Sequence, residues 1–137
     1  MNIGPGDGAY YEVGCGSGIV VDLGSPTWIG TLVFYEVENP ATPGFIAMDW
    51  VIVYVSDNAS GPWTLIFYWG DTDSGNNGYI PPGYYPPEND NQQIGFGELY
   101  NNTGIRIDVG STYRYVLIEA PPGCGDPAQV DAIEVLP

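Results

Sequence analysis

The sequence predicts an all-β chain, folded as a two-sheet antiparallel β-sandwich of the jelly-roll type. Three observations carry that expectation. Gly (20) and Pro (13) are frequent in the 137 residues, and no segment beyond about two turns shows helical apolar spacing. Short runs of β-branched and aromatic residues alternate with Gly/Pro/Asn turns along the chain, the pattern of sandwiches and barrels. The strongest run, DWVIVYVS from Asp49 to Ser56, is followed after one turn by Trp63–Trp69. It is apolar on both faces, as a strand covered above and below would be, so this hairpin is placed at the centre.

In chain order, Ile3 to Gly8 is a turn-rich start and Ala9–Val13 a short strand. Gly14-Cys15-Gly16-Ser17-Gly18 is a glycine turn with no following helix and no basic residue, unlike a phosphate loop. Ile19–Leu23 is the second strand, closed by Gly24-Ser25-Pro26, and Thr31–Glu36 the third. A Pro-containing loop, Asn39 to Gly44, precedes Ile46-Ala47-Met48, which leads into the central hairpin. Ile105–Val109, Tyr113–Ala120 and Gln129–Val135 are the remaining strands. Gly70 to Gly97 has no β-run, and a connection that long in a single domain is usually functional.

Composition narrows the chemistry. There are 17 acids, two arginines (Arg106 and Arg114), no lysine and no histidine, for a net charge of −15. Such a surface repels nucleic-acid phosphates and anionic membranes, and no apolar run is long enough for a membrane-spanning helix. Without His and Lys there is no Ser-His-Asp triad, no imidazole-bound metal and no Schiff base. Carboxylate pairs could serve a small glycan-active enzyme, but no pairing is specified by the sequence. Met1 directly precedes Asn2-Ile3-Gly4-Pro5 with no leader-like segment, as for an excised module. Two cysteines, no lysine and two Asn-x-Ser/Thr triplets (Asn58, Asn101) fit a secreted or cell-surface setting. Cys15 and Cys124 allow one intrachain pairing, and a disulfide is expected because the strands beside them should be neighbours.

Several stretches resemble galactose-binding-like (discoidin-like) jelly-roll modules. These are Gly4-Pro5-Gly6-Asp7-Gly8 with Gly14 to Gly24, Val33-Phe34-Tyr35-Glu36, and the closing Val130-Asp131-Ala132-Ile133-Glu134-Val135. The middle, Met48–Ile52, Phe67–Asp71 and Leu99–Ile105, resembles a subgroup in secreted proteins of Chloroflexi-type bacteria. The resemblance implies a non-catalytic carbohydrate-binding module with a structural calcium. Asp131 occupies an acidic position that often ligates calcium in related modules, and Asp7 the matching early loop; Glu134 is the third candidate. Strand alternation puts Asp131 and Glu134 on opposite faces. Gly70 to Gly78 also resembles a D-x-D-x-N calcium loop but lacks the glutamate that completes an EF-hand loop, and is read as a polar turn.

Sugar rings present apolar C–H faces, and aromatic side chains beside hydrogen-bonding groups suit them. Tyr79, Tyr84, Tyr85, Trp28 and Trp69 are the ligand-contact candidates, with core packing favoured for Trp69. The prolines flanking Tyr84 and Tyr85 limit the entropy lost on binding. Trp50, Tyr54, Phe34 and Phe67 read as core. The expected partner is a polysaccharide or glycan, with self-association in a surface filament or layer as the alternative.

Overall fold

The computed structural model describes residues 2–69, 92–124 and 127–137. In chain order the strands are β1 (Asn2–Ile3), β2 (Tyr11–Val13), β3 (Ser17–Tyr35), β4 (Phe45–Met48), β5 (Val51–Ser56), β6 (Thr64–Trp69), β7 (Gln92–Gly95), β8 (Gly104–Ala120), β9 (Ala128–Val130) and β10 (Ala132–Leu136). A 3-10 turn, Phe96–Glu98, is the one helical element among the described residues. Six strands form one sheet in the order β1-β10-β3-β8-β5-β6, and β2-β9 and β4-β7 are separate two-stranded pairs.

The fold is organised by the long antiparallel ribbon of β3 and β8. Each merges two strands that the sequence pattern separates. Gly24-Ser25-Pro26 is a register shift between Asp22 and Thr27, not a turn that ends the strand. On β8, Gly110 takes φ 67°, a kink that a Cβ would disfavour.

The ribbon also changes faces. In its first half Ile19 pairs Ile118 and Val21 pairs Val116; in its second half Leu32 pairs Ile107 and Phe34 pairs Ile105. The core-facing residues of β3 are therefore odd-numbered before Ile29 and even-numbered after Thr31, where the register shifts again. A bulge inserts one residue and exchanges the two faces of everything beyond it. Strand β10 flanks β3 at Thr31–Tyr35, whereas β5 flanks β8 at Tyr115–Glu119. These lie at opposite ends of the ribbon, yet Ile133 of β10 and Val53 of β5 share one buried cluster. The ribbon thus bends and brings its two ends face to face, which makes the sandwich.

The hairpin β5–β6 forms, with Val51 opposite Trp69. Three expectations about it change. It is not central: β6 is an edge strand of the six-stranded sheet and β5 is its inner neighbour. Ile46–Met48 does not run into the central strand: β4 pairs β7 in its own sheet, and the chain breaks at Asp49 and Trp50 before β5. Tyr54 is not a core residue. Val51, Val53 and Val55 are fully buried, while Ile52 and Tyr54 point to the other face and are half-buried.

The Cys15–Cys124 disulfide is present, with the Cα atoms 5.5 Å apart. The adjoining strands are neighbours, since β2 pairs β9. The bridged cysteines are 109 residues apart, and closing so long a loop stabilises by about 4 to 5 kcal/mol in the chain-entropy account.

Candidate functional site

With no lysine and two arginines, this chain must stabilise its buried acids by other means. A buried carboxylate without hydrogen bonds is costly, and backbone N–H groups are the donors at hand. Asp131, 3% exposed, interrupts the closing strand between β9 and β10. Its Oδ1 accepts from the Asp7 amide (3.1 Å) and its Oδ2 from the Gly8 amide (2.9 Å). Its own amide donates to the Tyr35 carbonyl (2.9 Å). The N-terminal arm is thereby stapled over the sheet edge. A Cβ on Gly6 would lie 2.7 Å from Asp131 Oδ2 and 3.3 Å from the Tyr35 ring, so the arm can approach only as glycine. Asp49, also buried, accepts from the Gln129 amide at 2.9 Å.

The expected calcium ligands do come close in part, but their oxygens have protein partners. Asp7 Oδ1 accepts from the Ala9 amide (2.9 Å), and Glu134 Oε1 accepts from the Tyr35 hydroxyl (2.7 Å). Among the described residues no three His, Cys, Asp or Glu side chains group as a metal site. Calcium takes six to eight oxygens, backbone carbonyls among them, so these side chains would supply only part of such a set. Burial, with Glu134 alongside, pushes the Tyr35 phenol up to about 12.

The aromatic candidates divide. Trp69 is fully buried and stacks on Phe67 with ring centroids 6.3 Å apart. It faces inward with Val51 opposite, so it cannot serve as a surface platform. Tyr79, Tyr84 and Tyr85, with the Gly70–Gly78 stretch, lie outside the described residues. Trp28 is 56% exposed and sits on the bend of the ribbon, just past the first register shift.

Around Trp28 the bend assembles a polar and aromatic patch. Trp28 is directly opposite Thr112, and Thr27 is opposite Tyr113. Tyr113 and Ile29 pack against the core. Alternation therefore sends Trp28 and Thr112 outward together, and Arg114, within the register shift, is placed by its bonds to Asp22. Arg114 Nε and Nη2 donate to Asp22 Oδ1 (2.8 Å) and Oδ2 (3.0 Å), a bidentate pair. The guanidinium carbon lies 5.2 Å from the Tyr115 ring centroid. The Arg114 bonds, then the Gly24 amide, hold the Asp22 carboxyl below the usual carboxylate range. Arg114 itself is raised by Asp22.

Sequence reasoning missed Asp22, Arg114 and Tyr115, because nothing local marks them. Asp22 and Arg114 are 92 residues apart and meet through the ribbon register. The rarity of arginine was the available signal: Arg114 takes a carboxylate, while Arg106 lies over the Tyr100 ring.

No family model and no curated protein matches the sequence. Solved structures do. CBM32-1 from a family 31 glycoside hydrolase of Clostridium perfringens is 15% identical, with a TM-score of 0.52 over 96% of this chain and 78% of that one. The Clostridium perfringens module CpGH89CBM32-4 is 12% identical, with a TM-score of 0.50 over 90% of this chain and 71% of that one. The same module in complex with GlcNAc-α-1,4-galactose gives 12% identity and a TM-score of 0.50, covering 88% and 66% of the two chains. The chain therefore has the galactose-binding-like β-sandwich fold.

Proposed function

We propose that this galactose-binding-like sandwich is a non-catalytic carbohydrate-binding module working outside the cytoplasm. The single observation that carries the reading is the bend patch: Trp28, 56% exposed, on the same face as Thr112, with the bidentate Asp22–Arg114 pair at the adjoining register shift. A flat indole offers a stacking surface to the C–H face of a sugar. The carboxylate and guanidinium beside it offer an acceptor and donors to its hydroxyls. The similarity to CBM32 modules, one of them in complex with GlcNAc-α-1,4-galactose, supports the same class of ligand. The disulfide supports an oxidising compartment.

The patch is poorly suited to hydrolysis. A glycosidase needs a carboxylic acid whose pKa is raised, facing a second carboxylate. Asp22 is shifted the other way by Arg114. Asp49 and Asp131 are buried and accept from backbone amides.

A glycan array that includes galactose- and N-acetylglucosamine-terminated structures tests the reading. The wild type is expected to bind a subset, and Trp28→Ala to weaken that binding by about tenfold or more, equivalent to about 1.4 kcal/mol. Because Trp28 is exposed, its melting temperature should stay close to that of the wild type. An array without a single bound glycan, or equal binding by Trp28→Ala, overturns it.

A further inference from the structure

The half-sheet beyond the bend carries a second feature on its outer face. Val20, Leu117, Tyr54 and Leu65 lie side by side across β3, β8, β5 and β6. The row on one side is Asp22, Tyr115 and Ser56; the row on the other is Gly18, Glu119, Ile52 and Tyr68. Tyr115, Tyr54 and Tyr68 thus form a diagonal, each one strand over and one row along from the last. Their core-side neighbours Val116, Val53, Val55, Phe67 and Trp69 are buried, so alternation turns all three tyrosines outward. Diagonal neighbours on a sheet face are about 7 to 8 Å apart, so the two steps span about 15 Å.

Val20 and Leu65 are 48% and 47% exposed, although apolar side chains on a solvated sheet face are normally replaced by polar ones. The chain carries 17 acids, yet the charges in these rows are Asp22 and Glu119. Asp22 is bound by Arg114, and Glu119 lies beside Tyr54, whose phenol is pushed up by burial and by that carboxylate. An occupant that suits the face is uncharged, extended, and carries both apolar flanks and hydroxyls. An anionic polymer would meet the repulsion of a −15 body. A second copy of this chain would bring the same charge again.

We propose that this outer face takes an extended, uncharged, β-linked polysaccharide chain, with its sugar rings along the Tyr115–Tyr54–Tyr68 diagonal. Equatorial linkages make such a chain a flat ribbon whose C–H faces can lie on successive rings. The diagonal starts beside the Asp22–Arg114 pair, so the strand face continues the bend patch. The proposal rests on the carbohydrate reading above and deepens it from a sugar to a polymer.

The test is titration with neutral β-1,4-linked di- and hexasaccharides of glucose, N-acetylglucosamine and mannose, monitored by calorimetry. At least one hexasaccharide should bind the wild type tenfold or more tightly than its disaccharide. Tyr54→Ala with Tyr68→Ala should remove the length dependence, and Tyr54→Phe with Tyr68→Phe should keep it. The variant Val20→Glu with Leu65→Glu, which changes exposed positions only, should abolish hexasaccharide binding and leave the Trp28-dependent array binding intact; it serves if the alanine pair does not fold. Equal affinity for short and long sugars, no hexasaccharide binding, or an unaffected glutamate variant overturns the polymer site. The bend patch survives those results if the array still shows Trp28-dependent binding. A wild-type dimer that the glutamate variant dissociates in sedimentation, without any length dependence, assigns the face to self-association and also overturns the proposal.

Discussion

Tyr35 shows how one residue can link the closing strand to its neighbour and register pH. It is fully buried, its carbonyl accepts from the Asp131 amide and its hydroxyl donates to Glu134. Its phenol is pushed up to about 12 from 10.0, first by burial, with the Asn101 bond opposing the rise and the Glu134 carboxylate adding to it. The sign follows from which state loses the proton first. Below pH 10 both folded and unfolded chains keep the phenol protonated, and the contribution is constant. Between about 10 and 12 only the unfolded chain ionises, so stability falls as pH rises through that window. A two-unit difference corresponds to about 3 kcal/mol. Denaturant titrations from pH 8 to 12 should therefore show a steeper alkaline loss for wild type than for Tyr35→Phe. At neutral pH the variant should be less stable by about 1 to 3 kcal/mol, having left Glu134 without its donor. Parallel pH profiles would show that Tyr35 does not hold its proton in the folded chain.

At the scale of elements, the N-terminal arm is held by few contacts of high value. β1 pairs β10 over two residues, and the Gly4 amide donates to the Ile133 carbonyl at 2.7 Å. Beyond that, Asp131 supplies the two charge-assisted bonds to Asp7 and Gly8. Asp131→Ala should cost about 3 kcal/mol or more, since it removes both bonds and leaves two amides without that acceptor. Gly6→Ala should give a similar phenotype through the 2.7 Å clash with Asp131. Amide hydrogen exchange is the decisive readout: the Asp7 and Gly8 amides should be protected in wild type and exchange freely in both variants. Protection that persists in Asp131→Ala would mean that something else holds the arm. The strands and the hairpin could be read from period-2 patterns, and the disulfide from the proximity of its flanking strands. The continuity of β3 and β8 could not, because Gly24-Ser25-Pro26 has the chemistry of a turn yet serves as a bulge within a longer strand. Tyr54 was misread for a related reason: an apolar run looks the same whether its second face is covered or displayed. Asp131 was singled out by resemblance as a metal ligand. Its amide partners, 123 and 124 residues away, are what a linear pattern does not show.

The whole molecule is dominated by a net charge of −15 on 137 residues. Uncompensated like charge disfavours the compact state, and its range shrinks from about 30 Å at 0.01 M salt to about 10 Å at 0.1 M. Raising sodium chloride across that interval should raise the melting temperature by several degrees without any bound ion. This screening effect complicates any search for calcium, because an acidic protein is stabilised by divalent cations through the same long-range term. Comparing calcium with magnesium at matched ionic strength separates the two. Among the described residues, Asp131 uses both oxygens on the Asp7 and Gly8 amides, and Glu134 binds Tyr35. A carboxylate oxygen that accepts one N–H keeps a further lone pair, so a calcium ion here would share these side chains with the arm's amides. If the stabilisation is screening alone, the two cations raise the melt equally, and exhaustive chelation at constant ionic strength leaves it unchanged. A rise specific to calcium, reversed by chelator and abolished in Asp131→Ala, would instead place a metal at this staple. The same rise retained in Asp131→Ala would place it elsewhere on the chain.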